Sequence, residues 1–349
     1  MGDPRFFNDI EGAPWAEVQR VKLEKLLRQL RYLRERSVFY QKKFAAAGVD
    51  PAKVTRLEDV AALPFTEKAE LRASLQEAPR LGLHRAAPLE QVAQIQASSG
   101  TTGSPAYVGL TRRDQYVWQE MGARCFYANG VRPGDLVMHG FSVSRGFVGG
   151  LPMSQIVMHL GATEIPVGAD AGTDRILRVM ADLRPQALAA TPYFAIHLAE
   201  QAPRLVDAEA RALGVRVVSV GGEPGGGIPA VREKIEQLWG AQCRELCGGT
   251  DLGCAYWAEC ETKRGMHEMA QEFIYVELIS PDTGDALPWK EGTTGELVYT
   301  ALDRECSPLV RFRTRDHAVV PGLACDCGRT APMIRGVGRT DDMLIVKGL

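Results

Sequence analysis

The chain has 349 residues, 45% of them hydrophobic and 24% charged, with a formal net charge of -2. That length exceeds one small core, so two or three domains are expected, and the near-neutral balance gives nucleic acid or an anionic membrane no footing. No apolar run approaches the ~18–20 residues of a membrane span, and the polar N-terminus lacks a signal-peptide core. A cytosolic protein is expected, whose eight cysteines are reduced thiols or metal ligands.

Val18, Val21, Leu23, Leu26, Leu27, Leu30 and Leu33 recur at three- and four-residue intervals. This spacing predicts a helix over 16–36 with lysine and arginine on its solvated face. A second helix is expected over 38–47, closed by Gly48, and short helices over 57–63 and 67–75 flank Pro64. Residues 1–80 read as a helical layer.

From Val92 the texture alternates between strand and helix. Apolar residues around Val92 and Ile95 lead into Ser98-Ser99-Gly100-Thr101-Thr102-Gly103-Ser104-Pro105, and Tyr107-Val108-Gly109-Leu110 leads out. Five hydroxyls and two glycines in eight residues suit a strand–loop–strand clamp for phosphates, since glycine lets backbone N–H groups approach an anion. A plain surface loop has the same composition, and both readings stand at this point. Thr111-Arg112-Arg113-Asp114 matches a capping box, so a helix opens there and ends near Asn129-Gly130.

Strands are expected at 136–139, 162–167, 186–190, 215–220 and 243–247. Helices follow at 151–160, at 173–183 with Thr173 as cap, and at 229–239. This alternation predicts an α/β core over 81–252, mainly parallel sheets flanked by helices. After Asp251 it stops. Strands at 273–279, 295–300 and 310–320, with a hairpin turn at Pro281-Asp282-Thr283-Gly284, predict a smaller antiparallel β subdomain over 253–337. A strand-like run at 343–346 closes the chain. There is no Walker A sequence and no strand-borne GxGxxG.

Gly221-Gly222-Glu223-Pro224 and Cys247-Gly248-Gly249-Thr250-Asp251 each follow an expected strand, where open parallel sheets bind ligands. Arg313-Thr314-Arg315-Asp316 comes later, in the β-rich part. Alone, each is an ordinary glycine turn or charged hairpin. In this order, with the hydroxyl-rich loop, the sequence resembles the phenylacetate–CoA ligase branch of the adenylate-forming acyl-CoA synthetases. Residues 98–105 match the SSGTTGxP signature, 221–224 resemble GAEP, 247–251 take the place of YGxSE or YGxTE, and 313–316 match RTRD. Gly338-Arg339-Thr340-Asp341-Asp342-Met343 matches the GRxDDM hinge. Ser37-Val38-Phe39-Tyr40 and Leu63-Pro64-Phe65-Thr66 are also typical of this branch.

The resemblance implies the large N-terminal domain of an adenylate-forming enzyme. A carboxylic acid attacks the α-phosphorus of ATP to give acyl-adenylate and pyrophosphate, and coenzyme A then displaces AMP. Positioning and charge stabilisation supply most of such catalysis. By the same resemblance, Ser98, Ser99, Thr101 and Thr102, with Gly100 and Gly103, hold the β- and γ-phosphates. Thr250 contacts the α-phosphate, and Asp251 helps hold Mg²⁺. Gly222, Glu223, Pro224, Cys247 and Gly248 lie along the adenine, Asp316 accepts the ribose hydroxyls, and Arg339 approaches the ribose or phosphates.

The chain departs from the family at Asp251, where glutamate is usual, and at Cys247, where a tyrosine lies against adenine. It also stops at the hinge (338–349), before the family's C-terminal domain and its lysine, so a truncated form with little full activity is expected. Two alternatives accompany the ligase. One is a nucleotidyl transferase of the same fold that leaves AMP on its acceptor; the other is a non-catalytic nucleotide-binding protein. A homodimer stays open.

Cys260, His267, Cys325 and Cys327 form a set of three thiols and one imidazole, suited to a closed zinc site. The family branch shows the same CE-x-K-x-G-x-H and CxCGRT pairing. Cys125, Cys243, Cys254 and Cys306 read as small core residues. The segment His139 to Phe147 follows a strand and is expected to line the acid side, with Phe141, Phe147 and Tyr193 around an aromatic ring and Gly149 and Gly150 leaving room. Arg145 steers the carboxylate or lies on the surface. A small aromatic or arylacetic acid is the expected substrate.

Overall fold

The computed structural model describes residues 3–78, 80–97, 106–144 and 146–339. The chain forms two compact units: the first contains Met1–Asp9, Trp118–Met269 and Asp326–Gly328, the second Ile10–Val117, Ala270–Cys325 and Arg329–Leu349.

The leucine stripe builds the second unit's first helix, α1 (Trp15–Arg36), with Val18, Leu26, Leu30 and Leu33 fully buried. Lys22 is buried as well, contrary to a wholly solvated basic face: its ammonium lies 5.1 Å from the Trp15 ring centroid. Ser37 caps α2 (Val38–Ala46), and the Glu67 N–H donates to Glu70 at 2.7 Å to open α3 (Lys68–Glu77). The expected helix at 57–63 is a 3₁₀ turn, Leu57–Ala62. These pieces close a core of Leu30, Tyr40, Phe44, Val60, Leu302 and Val310. The strands β1 (Val92–Ala97) and β2 (Tyr107–Thr111) pair antiparallel around the hydroxyl-rich loop, which lies outside the described residues.

Helix α4 (Arg112–Ala128) carries the chain into the first unit. Its capping box is present: the Thr111 N–H donates to Asp114 Oδ2 at 2.9 Å, and the Asp114 N–H donates back to the Thr111 hydroxyl at 3.2 Å. Alternation then follows as the pattern implies: β3 (Leu136–His139), α5 (Leu151–His159), β4 (Thr163–Ile165), α6 (Thr173–Leu183), β5 (Ala187–Ala190), α7 (Pro192–Val206), β6 (Val217–Val220), α8 (Pro229–Trp239) and β7 (Gln242–Gly249). The strands are parallel in the order β4-β3-β5-β6-β7, with β5 and β6 wholly buried. Ile176, Met180, Ile196, Ile235 and Trp239 from the helices cover Leu188, Val218 and Val220. The cap of α6 is Gly172 at φ +85, not Thr173, whose hydroxyl lies 3.1 Å from His197 Nε2 instead.

Strand β7 does not end the sheet. It turns back into β8 (Gly253–Glu259), followed by β9 (Met266–Glu268), both antiparallel and both unforeseen. In the second unit β10 (Ile274–Ile279), β11 (Thr294–Ala301), β12 (Phe312–Val319) and β13 (Met333–Arg339) form an antiparallel sheet in sequence order. The 281–284 turn closes through Gly284, whose N–H donates to the Ser280 carbonyl at 2.9 Å with φ +77. The chain is therefore α/β, with a parallel portion and an antiparallel one. Among the described residues no helix is long and apolar enough to cross a membrane.

Candidate active site

In the first unit the connections leaving β3, β5, β6 and β7 emerge together at the carboxyl edge of the parallel sheet. Gly140 and Gly221 run close against neighbouring strands: a Cβ at Gly140 would lie 2.8 Å from the Ala189 carbonyl, and one at Gly221 2.6 Å from that of Leu246. Gly222 turns at φ +84, and a Cβ there would sit 3.6 Å from the Phe141 ring and 3.8 Å from Thr191. The expected adenine segment thus meets the segments after β3 and β5. Glu223 accepts the Tyr193 N–H at 3.3 Å, setting a carboxylate at the positive end of α7. Glu223 and Pro224 are exposed.

The three aromatic residues have separate settings. Phe141 is buried, edge-on to His139 with ring centroids 6.2 Å apart. Phe147 packs against Gly149, where a Cβ would lie 2.5 Å from its ring. Tyr193 is 54% exposed. Arg145 lies outside the described residues.

The loop carrying Phe141 and Phe147 is fastened at two points that spacing did not reveal. Asp170 accepts the Ser142 hydroxyl at 2.7 Å and the Ser144 N–H at 3.1 Å. His139 lies with Nδ1 2.6 Å from Glu164 and Nε2 2.7 Å from the Gly149 carbonyl, while the Ser154 hydroxyl donates to Glu164 at 2.8 Å. Both imidazole nitrogens therefore meet acceptors, and the ring ties β3 and β4 to the entrance of α5. A lone glutamate inside an apolar strand is the one sequence signal of this network.

Cys247 and Gly248 lie within β7 rather than after it, and Cys247 is paired with Trp257. Thr250 and Asp251 form the β7–β8 turn, closed by the Leu252 N–H to the Gly249 carbonyl at 3.1 Å. Thr250 is 8% exposed and Asp251 half-buried.

In the second unit Asp316 and Arg339 are cross-strand partners of β12 and β13, with Arg339 Nη1 3.3 Å from Asp316 Oδ1. Residues 313–316 thus lie inside a strand, not in a charged hairpin. Thr340, Asp341, Asp342 and Met343 lie outside the described residues.

The ligand atoms of Cys260, His267, Cys325 and Cys327 all lie within 4.8 Å of one another. Tetrahedral zinc with bonds of roughly 2.3 Å holds its ligand atoms roughly 3.8 Å apart, so this set fits one such ion. Cys260, His267 and Cys327 are buried. A hydrogen bond from Cys327 and another from His267 hold the Cys260 thiol far below its ordinary range, against the opposing effect of burial. Burial instead pushes Cys243 and Cys254 up to about 12 and Cys306 to about 11; these three and Cys125 are buried core residues.

Residues 20–301 match the model of the AMP-binding enzyme family. A phenylacetate-coenzyme A ligase of Thermus thermophilus is 36% identical over 344 residues, 98% of this chain and 74% of the relative. One from Pseudomonas putida is 34% identical over 99% of this chain and 76% of its own length. A solved structure of 2-hydroxyisobutyryl-CoA ligase, in an open conformation with 2-HIB-AMP and CoA, superposes with a TM-score of 0.90. It is 29% identical, covering 98% of this chain and 80% of that one. By this match, over most of its length, the chain belongs to the AMP-binding enzyme family.

Proposed function

We propose that the protein activates a small aromatic or arylacetic acid with ATP, forming an acyl-adenylate, and passes the acyl group to coenzyme A. The observation that carries this reading is the meeting of Gly222 with Phe141 and Thr191, which brings the nucleotide-side and acid-side loops to one edge. A carboxylate is a poor acyl donor because its oxygen leaves badly, and AMP corrects that. In this reading Ser98, Ser99, Thr101 and Thr102 grip the β- and γ-phosphates. Thr250 donates its hydroxyl to the α-phosphate from a buried turn, Asp316 takes the ribose hydroxyls, and Arg339 beside it balances the added charge. Asp251, a hard oxygen donor on the same turn as Thr250, suits Mg²⁺, which when bound neutralises phosphate charge. Phe141, Phe147 and Tyr193 set the acid's ring, and Cys247 and Gly248 flank the adenine.

A stable arylacetyl sulfamoyl-adenosine tests this directly by calorimetry. It is expected to bind at least about tenfold tighter than AMP, because the acyl arm adds contacts that AMP lacks. Equal affinities for the two would overturn the reading.

We assign the thiol–imidazole set of Cys260, His267, Cys325 and Cys327 to a structural zinc ion. Elemental analysis is expected to find about one zinc per chain. A Cys325→Ser, Cys327→Ser double variant should purify without it and melt at lower temperature. Unchanged metal content in that variant rejects the site.

A further inference from the structure

We propose that Glu67, outside every motif that marks the family, is a positioning residue for the ribose acceptor Asp316 and acts through Arg315. The inference rests on the reading of Asp316 given above. In the β11–β12 pairing Glu296 faces His317 and Val298 faces Arg313, so Leu297 alone opposes Thr314, Arg315 and Asp316. Two surplus residues must be accommodated, and the strand bulges at the point where Asp316 is presented.

The bulge depends on Arg315 holding φ +66, the left-handed region that glycine enters freely and a long side chain resists. The Thr314 hydroxyl donates to the Leu297 carbonyl and accepts the Asp316 N–H, each at 3.3 Å.

The stronger hold comes from a distant part of the sequence. Arg315 Nη2 lies 3.0 and 2.9 Å from the two oxygens of Glu67, and Arg313 Nη1 lies 3.8 Å from the same carboxylate. Glu67 is itself anchored. The preceding Thr66 donates its N–H to the Arg311 carbonyl at 2.9 Å and accepts the Arg313 N–H at 3.0 Å, in register with β12. The carboxylate therefore spans the bulge from a frame already fastened to the same strand. Without that charge only Glu296 among the described residues, 4.0 Å from Arg315 Nη1 and already paired with Arg313, remains to hold the side chain. Relaxation of Arg315 toward negative φ then rotates the next peptide and carries Asp316 away from Arg339.

The ion pair is half exposed, and pairs of that kind contribute little to global stability. Its signature is in nucleotide affinity. Glu67→Gln is expected to weaken AMP binding about fivefold while the thermal midpoint stays within about 2 °C of the parent. In that background Arg315→Gly should restore AMP affinity, since glycine takes positive φ unaided, whereas Arg315→Ala should not.

Asp316→Asn separates the two levels of the reading. If it leaves AMP affinity unchanged, the ribose role fails and the proposal falls with it. If it weakens binding while Glu67→Gln does not, or if Arg315→Gly rescues no better than Arg315→Ala, the ribose role stands and the positioning role is overturned.

Discussion

Among the described glycines, Gly248→Ala is expected to be the most damaging alanine substitution. A Cβ there would lie 2.0 Å from the Cys254 carbonyl oxygen, 2.4 Å from its carbon and 2.8 Å from the Ala255 Cα. These are backbone atoms of β8 and cannot swing aside. The cause is a register irregularity: Cys247 pairs with Trp257 and Gly249 with Gly253, so β8 bows its surplus residues onto Gly248. Accommodating the methyl group means parting β7 from β8, at a cost of about 3 kcal/mol or more. The Thr250–Asp251 turn moves with them, so acyl-adenylate affinity should fall as well.

The adjacent glycine is the control. A Cβ at Gly249 meets only the Tyr256 hydroxyl, at 3.5 Å, so Gly249→Ala should change stability by less than about 1 kcal/mol. Urea unfolding of the two variants measures the contrast. A parental midpoint for Gly248→Ala would mean that β8 yields where the geometry says it cannot.

The second large effect lies in a buried ionic cluster of the first unit. Glu120 receives Arg124 at 3.1 and 2.9 Å and Asn8 at 2.9 Å on one oxygen, and His159 at 3.0 Å on the other. Arg124 is fully buried and the Glu120 side chain 6% exposed. Burial alone would raise the carboxyl's pKa, but the His159 hydrogen bond and the Arg124 charge outweigh it and hold the group near 2. Since the folded value lies below the ordinary 4.5, the contribution is complete above about pH 4.5 and is lost as pH falls toward 2. The gap corresponds to about 3 kcal/mol.

Glu120→Gln should therefore destabilise the protein by about 3–5 kcal/mol at pH 7, because the buried Arg124 charge loses the carboxylate that balances it. The variant should also lose less further stability than the parent between about pH 5 and 3. Urea midpoints across that range decide the matter. Parallel acid limbs in parent and variant would remove Glu120 from the account.

Much of the fold and part of the site could be read from order along the chain. The leucine spacing of α1, the capping box of α4, the buried runs of β5 and β6 and the Pro281–Gly284 turn are local. Each depends on a period or a turn geometry that neighbouring residues impose by themselves. The glycine segment at 221–224 was legible for the same reason, since a positive φ at Gly222 leaves its mark in the residue type.

Tertiary structure alone decided the rest. Strand β8 is buried on both faces, so Gly253–Glu259 shows no alternation, and its turn falls inside a motif that reads as the end of an element. Lys22 on α1 looks like solvated surface until Trp15 covers it. Glu67 carries no local sign of its role, because its partner is brought to it by the pairing of Thr66 with β12. Residues 98–105 stand out by composition alone and lie outside the described residues; what folding added is found elsewhere. The Gly222–Phe141 approach, the bulge that presents Asp316 and the crowding at Gly248 all follow from strand register. Register is set by which faces are buried against which neighbours, a property that no short window of sequence contains.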